Sequence, residues 1–121
     1  MNNKSAFEIL VNDAKSRIKE CSIAHIYDMT KNNKLDGILI DIRELSEYEN
    51  GYIGNAIHIS RGILEAKIES IIPNKEEKLY LYCGGGFRSA LSADNLIKMG
   101  YKNTYSVAGG YKAWRSNFGS M

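Results

Sequence analysis

The sequence predicts an α/β domain built on a mostly parallel central sheet with helices on both faces. Three observations carry that prediction. Short apolar runs at 37–42 (GILIDI) and 78–83 (KLYLYC) stand between polar flanks, as strands buried on both faces do. Stretches with apolar residues at helical spacing separate them. Strand and helix signals then alternate along the chain, the order expected where helices connect parallel strands.

From the N-terminus, Phe7, Leu10, Val11, Ala14 and Ile18 recur at helical spacing and predict an amphipathic helix over 5–19. A short strand is expected at 21–23, and Ser22 is placed to cap a helix over about 24–31 that the KNN run ends. After the strand at 37–42, residues 44–50 make a helical turn stopped by Gly51, and 55–60 (NAIHIS) gives another short strand. Ile63, Leu64, Ile68 and Ile71 share one face of a helix that Pro73 ends. The strand at 78–83 leads through three glycines into a helix over 88–99, with Gly100 just past its end. A strand at 103–107 and a helix opening after Gly109 and Gly110 complete the pattern. Residues 1–20 are expected to form a helix packed on, or appended to, a single domain spanning 21–121.

A chain of 121 residues is one domain long and buries roughly two-thirds of its unfolded surface. Its 16 basic and 14 acidic residues are interspersed, with no basic run, so no nucleic-acid partner is expected. No apolar stretch approaches the ~20 residues of a membrane span, and the MNNKSAFEIL start lacks the apolar core of a signal peptide. Two cysteines do not make a disulfide framework at this size, and a reducing cytoplasm is expected. His25 and His58 lack metal-ligand spacing with either cysteine, so no metal is expected.

The densest chemistry lies in CGGGFRSA, residues 83–90. Gly84, Gly85 and Gly86 permit positive φ and close backbone approach, so the loop can turn N–H groups inward as an anion-binding nest. The following helix adds its own free N–H groups and positive dipole end. Such surroundings favour a thiolate and stabilise a charged sulfur or oxyanion attached to it. Arg88 supplies a permanent planar cation suited to an anionic substrate. A lone Cys at a strand end is by itself an ordinary buried side chain. The glycines, Arg88 and the helix start are what mark Cys83 as a nucleophile that handles anions. Neither GxGxxG nor GxxxxGKS/T is present, which disfavours a nucleotide cofactor; none is expected.

CGGGFRS resembles the active-site loop of rhodanese-like sulfurtransferases, Cys-x-x-Gly-x-Arg-Ser, through Cys83, Gly86, Arg88 and Ser89. Three further stretches agree. The segment LIDIRELSEYENGYIGNAIHIS is similar to the family's Asp-Val-Arg, Glu-Tyr and Gly-His-Ile-Pro-Gly-Ala run through Asp41, Arg43, Glu44, Glu47, Tyr48, Gly51, Ile53 and Ala56. Ala90, Ala93, Leu96 and Gly100 match the helix after the loop, and Gly109, Gly110 and Trp114 match the closing Gly-Gly-x-x-x-Trp. Tyr52 stands where the family usually has His, and Gly54 and Asn55 replace Pro-Gly. The resemblance covers about 22–114 and leaves the first helix outside it.

The resemblance implies a rhodanese-like fold and a persulfide mechanism. Cys83 would take the outer sulfur of a small anionic donor such as thiosulfate and pass it to cyanide or a thiol. Backbone N–H groups of Gly84, Gly85, Gly86, Phe87 and Ser89 would hold the persulfide, Arg88 would orient the donor, and Phe87 would shape the pocket mouth. Asp41 and Arg43 are read either as support behind the loop or as a structural ion pair at a strand end. A protein sulfur donor or acceptor stays open, as does the physiological donor. Two rivals remain. A Cys-dependent phosphatase or arsenate reductase also sets Cys and Arg around a nest, but with five residues between them; here there are four. A non-enzymatic rhodanese-like module typically lacks the Cys that this chain retains. Cys21 is read as structural.

Overall fold

The computed structural model describes residues 4–119. Its elements are α1 (Ala6–Lys15), β1 (Lys19–Cys21), α2 (Ile23–Lys31), β2 (Ile38–Asp41), α3 (Leu45–Glu49), β3 (Ile57–His58), α4 (Arg61–Ile71), β4 (Leu79–Tyr82), α5 (Phe87–Lys98), β5 (Thr104–Val107) and α6 (Gly110–Phe118). Every strand pairing is parallel, in the order β1-β5-β4-β2-β3.

The strands divide their side chains by the two-residue period of a pleated sheet. Ile40, Leu79, Leu81 and Cys83 point to one face, where Leu64 and Ile68 of α4 and Ala93 and Leu96 of α5 cover them. Leu39, Tyr80, Tyr82 and Val107 point to the other, under Ile26 of α2 and Trp114 of α6. All four residues of β4 are buried, as the apolar run at 78–83 requires. Helices therefore lie on both faces, as the alternation of elements predicts.

The first helix is shorter than its apolar spacing predicts. Ser5 and Glu8 form a reciprocal capping box at its start, but it ends at Lys15 with Ser16 as C-cap. The next residues are drawn into the sheet: Lys19 pairs with Tyr105 and Cys21 with Val107. Strand β1 thus lies two residues before the expected 21–23. Ser22 is not in the strand, because its hydroxyl accepts the His25 N–H at 3.1 Å and caps α2. On α1, Val11 and Ala14 are buried against Ala90 and Leu91 of α5. Arg17, just beyond the helix, grips the Asp94 carboxylate through Nε at 3.2 Å and Nη2 at 2.8 Å.

The carboxyl ends of β2 and β4 lie side by side, with Asp41 in register with Tyr82. Residues 42–44 and 83–86 leave the sheet together at this edge, where parallel α/β sheets bind ligands. Among the described residues no helix is long and apolar enough to cross a membrane.

Candidate active site

Cys83 follows β4 directly and is 1% exposed. Two backbone donors converge on its sulfur: the Gly86 N–H at 3.1 Å and the Ser89 N–H at 3.3 Å. The Ser89 hydroxyl lies 3.5 Å from Sγ and pairs with the buried Ser106 hydroxyl of β5 at 2.8 Å. The loop can close this tightly because Gly86 sits at φ 95°, a conformation that costs L-residues with a Cβ. Ser89 belongs to the first turn of α5, so its N–H is one of the donors a helix start leaves free. Gly84 and Gly85 make no such bond to Sγ; Gly85 is exposed at the loop tip.

A second helix start holds the loop from behind. The Tyr111 N–H donates to the Cys83 carbonyl at 2.8 Å, and the Lys112 N–H to the Gly84 carbonyl at 2.9 Å. Gly110 makes this approach possible. Its φ is +56°, and a Cβ there would run into the Cys83 and Gly84 carbonyls. A glycine at the first position of α6 is therefore a packing requirement of the cysteine loop.

Asp41 and Arg43 form a buried pair. Arg43 Nη2 lies 2.7 Å from Asp41 Oδ2 and 2.7 Å from the Gly51 carbonyl, and Nε lies 3.0 Å from Asp41 Oδ1. The guanidinium also stacks 4.1 Å from the ring centre of Tyr111, whose N–H holds Cys83. The pair thus reaches the loop through one intervening residue and touches no part of Sγ. Burial pushes the neighbouring Tyr82 phenol well up, and its oxygen accepts the Ile53 N–H at 3.0 Å.

Arg88 reaches across the loop. A Cβ on Gly84 would come within 3.0 Å of its Nη2, so the guanidinium lies over the loop's first glycine. Its fork is occupied by Glu47 of α3, with Nη1 at 3.1 Å from Oε1. The hydrogen bond to Arg88 holds the Glu47 carboxyl below its ordinary value, despite an opposing contribution from burial. The same bond raises Arg88, with Cys83 contributing in the same direction. Phe87 is 46% exposed at the loop mouth, in edge contact with Phe7 of α1 at 6.1 Å between ring centres.

The structure thus gathers Cys83, Gly86, Arg88 and Ser89 around one sulfur, with Asp41 and Arg43 one contact behind. Sequence reasoning left Glu47 as a matched position without a partner and passed over Ser106, Tyr111 and Lys112. Ser106 is one of three hydroxyls in the NTYSV stretch, and nothing in the sequence singles it out. Cys21 ends β1 at the same edge of the sheet, but it packs on the opposite face from Cys83. Burial, with Glu20 adding, pushes its thiol up to about 11.

Residues 22–117 match the family described as rhodanese-like domain. The thiosulfate sulfurtransferase GlpE of Coxiella burnetii is 32% identical over 99 residues, covering 82% of this chain and 89% of GlpE. A putative sulfur carrier protein of Bacillus subtilis, YrkF, is 32% identical over 76 residues, covering 63% of this chain and 40% of YrkF. A solved structure from Rhodopseudomonas palustris, of unknown function and described as a possible tyrosine phosphatase, superposes with a TM-score of 0.86 at 29% identity, over 100% of this chain and 96% of its own. A human single-domain sulfurtransferase, 22% identical with a TM-score of 0.70 over 81% of this chain and 96% of its own, shares the fold. The matched span contains the whole Cys83 loop and both helix starts that build it, and the chain belongs to the rhodanese-like domain family.

Proposed function

We propose that the protein is a thiosulfate sulfurtransferase of the rhodanese type, carrying sulfane sulfur as a persulfide on Cys83. The observation that carries this reading is the convergence of the Gly86 and Ser89 N–H groups on Sγ itself. The Cys83 thiolate attacks the outer sulfur of a donor such as thiosulfate. The new S–S bond forms at Sγ, the donor's S–S bond breaks, and its electron pair leaves with sulfite. Backbone donors then lie against the charged sulfur, where a preorganised N–H is worth far more than in water. Cyanide or a thiol removes the outer sulfur and returns the electron pair to Cys83. Arg88 orients the anionic donor, and Asp41 and Arg43 hold the loop's surroundings through Tyr111.

The relative described as a possible tyrosine phosphatase supports a second reading. Two features weigh against it. The spacing leaves four residues between Cys83 and Arg88. Glu47, the carboxylate nearest the loop cation, is held ionised by Arg88 and cannot serve as an acid for a leaving group at neutral pH. Steady-state turnover separates the readings. Thiocyanate should form from thiosulfate and cyanide, with ping-pong kinetics. Hydrolysis of p-nitrophenyl phosphate or reduction of arsenate, without thiocyanate formation, would replace this reading with its rival.

A further inference from the structure

Two hollows flank the Cys83 loop, and their chemistry differs. On the α4 side, Arg61, Arg88, Glu44 and Glu65 line a hollow with charges of both signs. On the α6 side lies a hollow of about 550 Å³, walled by Gly85 and Phe87 of the loop, by Gly109, and by Lys112, Ala113 and Asn117. Its volume suits a small ligand. Its walls are largely apolar, and Lys112 is the only charged residue among its lining groups. Lys112 forms no ion pair among the described residues, so its charge is uncommitted. The Phe87 wall is braced by α1: Phe7 meets its ring edge-on, and Lys15 Nζ lies 5.5 Å from the ring centre.

We infer that this hollow is the subsite for the sulfur acceptor, and that the acceptor is a small thiol bearing a carboxylate or other anionic group. The inference rests on the persulfide reading above. Apolar walls take the body of such a thiol, the exposed Ser116 hydroxyl offers a neutral hydrogen-bonding group, and Lys112 attracts its anionic end. Occupying the hollow places the ligand against Gly85 and Phe87, on the loop that carries the reacting cysteine. The acceptor thiolate attacks the outer sulfur of the Cys83 persulfide. A new S–S bond forms, the Sγ–S bond breaks, and its electron pair returns to Cys83 as thiolate. The product is the acceptor persulfide, so no oxidant or reductant is needed.

The test is a charge series. Protein loaded with excess thiosulfate is freed of donor, then discharged with mercaptoacetate (anionic), 2-mercaptoethanol (neutral) or cysteamine (cationic). Each rate for Lys112→Glu is divided by the parent's rate with the same thiol, which cancels differences in thiol nucleophilicity. The ratio should fall about fivefold with mercaptoacetate, as expected for an exposed charge pair. It should fall least with 2-mercaptoethanol and rise with cysteamine. Lys112→Gln should give the same ordering with a smaller spread. Equal ratios for all three thiols would overturn the inference while leaving the persulfide reading standing. A parent protein that takes up no sulfur would overturn both.

Discussion

Glu47 and Arg88 are joined by a two-point fork, Nη1 to Oε1 at 3.1 Å and Nη2 to Oε2 at 3.4 Å. Oε1 also accepts the Glu44 N–H at 3.0 Å, so the carboxylate is fixed to the start of α3 before it meets the arginine. In the resting protein the loop's cation is therefore neutralised by a neighbour that an anionic donor must compete with. Glu47→Gln removes the competing charge and keeps the side chain's shape. The KM for thiosulfate should fall about fivefold, the upper end for a partly exposed charge pair. A raised KM would mean that Glu47 holds Arg88 in its productive pose.

Arg88 itself should behave oppositely. Arg88→Ala should lower kcat/KM for thiosulfate by about 1.5–3 kcal/mol, the range for a charged hydrogen bond. Lys at this position should restore only part, because it lacks the planar fork. Unchanged kinetics in the Ala variant would remove Arg88 from donor binding.

Gly110→Ala tests the coupling between α6 and the loop. The substitution puts a Cβ at φ +56° and against the Cys83 carbonyl. It should cost about 1–3 kcal/mol of stability in a denaturant titration, the range for a residue held in a strained region, and weaken sulfur loading with it. Gly85→Ala faces open space and should leave the midpoint where it is. Equal midpoints for both variants would show that the approach of α6 to the loop can relax.

Asp94 makes α1 docking sensitive to acid. The Arg17 hydrogen bonds hold its carboxyl below the ordinary value, with Lys98 adding. A carboxyl depressed on folding stabilises fully above its unfolded value of about 3.9, and that stabilisation is lost as pH falls through the folded value. Protection of the α1 amides, measured against their intrinsic exchange rate at each pH, should therefore fall as pH drops below about 4. Asp94→Asn should show the lower protection already at neutral pH. Protection in α1 that ignores both pH and this substitution would mean the Val11 and Ala14 packing holds the helix alone.

The sheet was legible in the sequence because its physics is local. The run at 78–83 alternates faces within itself, and the glycines after it announce a tight turn at a strand end. Cys83, Arg88 and Ser89 were legible for the same reason, since seven consecutive residues hold them all. What escaped was non-local. Glu47 meets Arg88 across 41 residues, and Ser106 reaches Ser89 only because β5 lies beside β4. The end of α1 at Lys15 was also hidden. Its helical spacing continues to Ile18, and only pairing of Lys19 with β5 decides otherwise.

The most direct measurement is the intact mass of the reduced protein after incubation with excess thiosulfate. The mass should rise by a single sulfur atom, located on Cys83 by peptide mapping and removed by cyanide or dithiothreitol. Cys83→Ser should fold normally and take up nothing, while Cys21→Ser, altered on the opposite face of the sheet, should load like the parent. Sulfur retained by the Cys83→Ser protein, or a parent that stays unloaded with thiosulfate and with persulfide donors alike, would contradict a persulfide on Cys83.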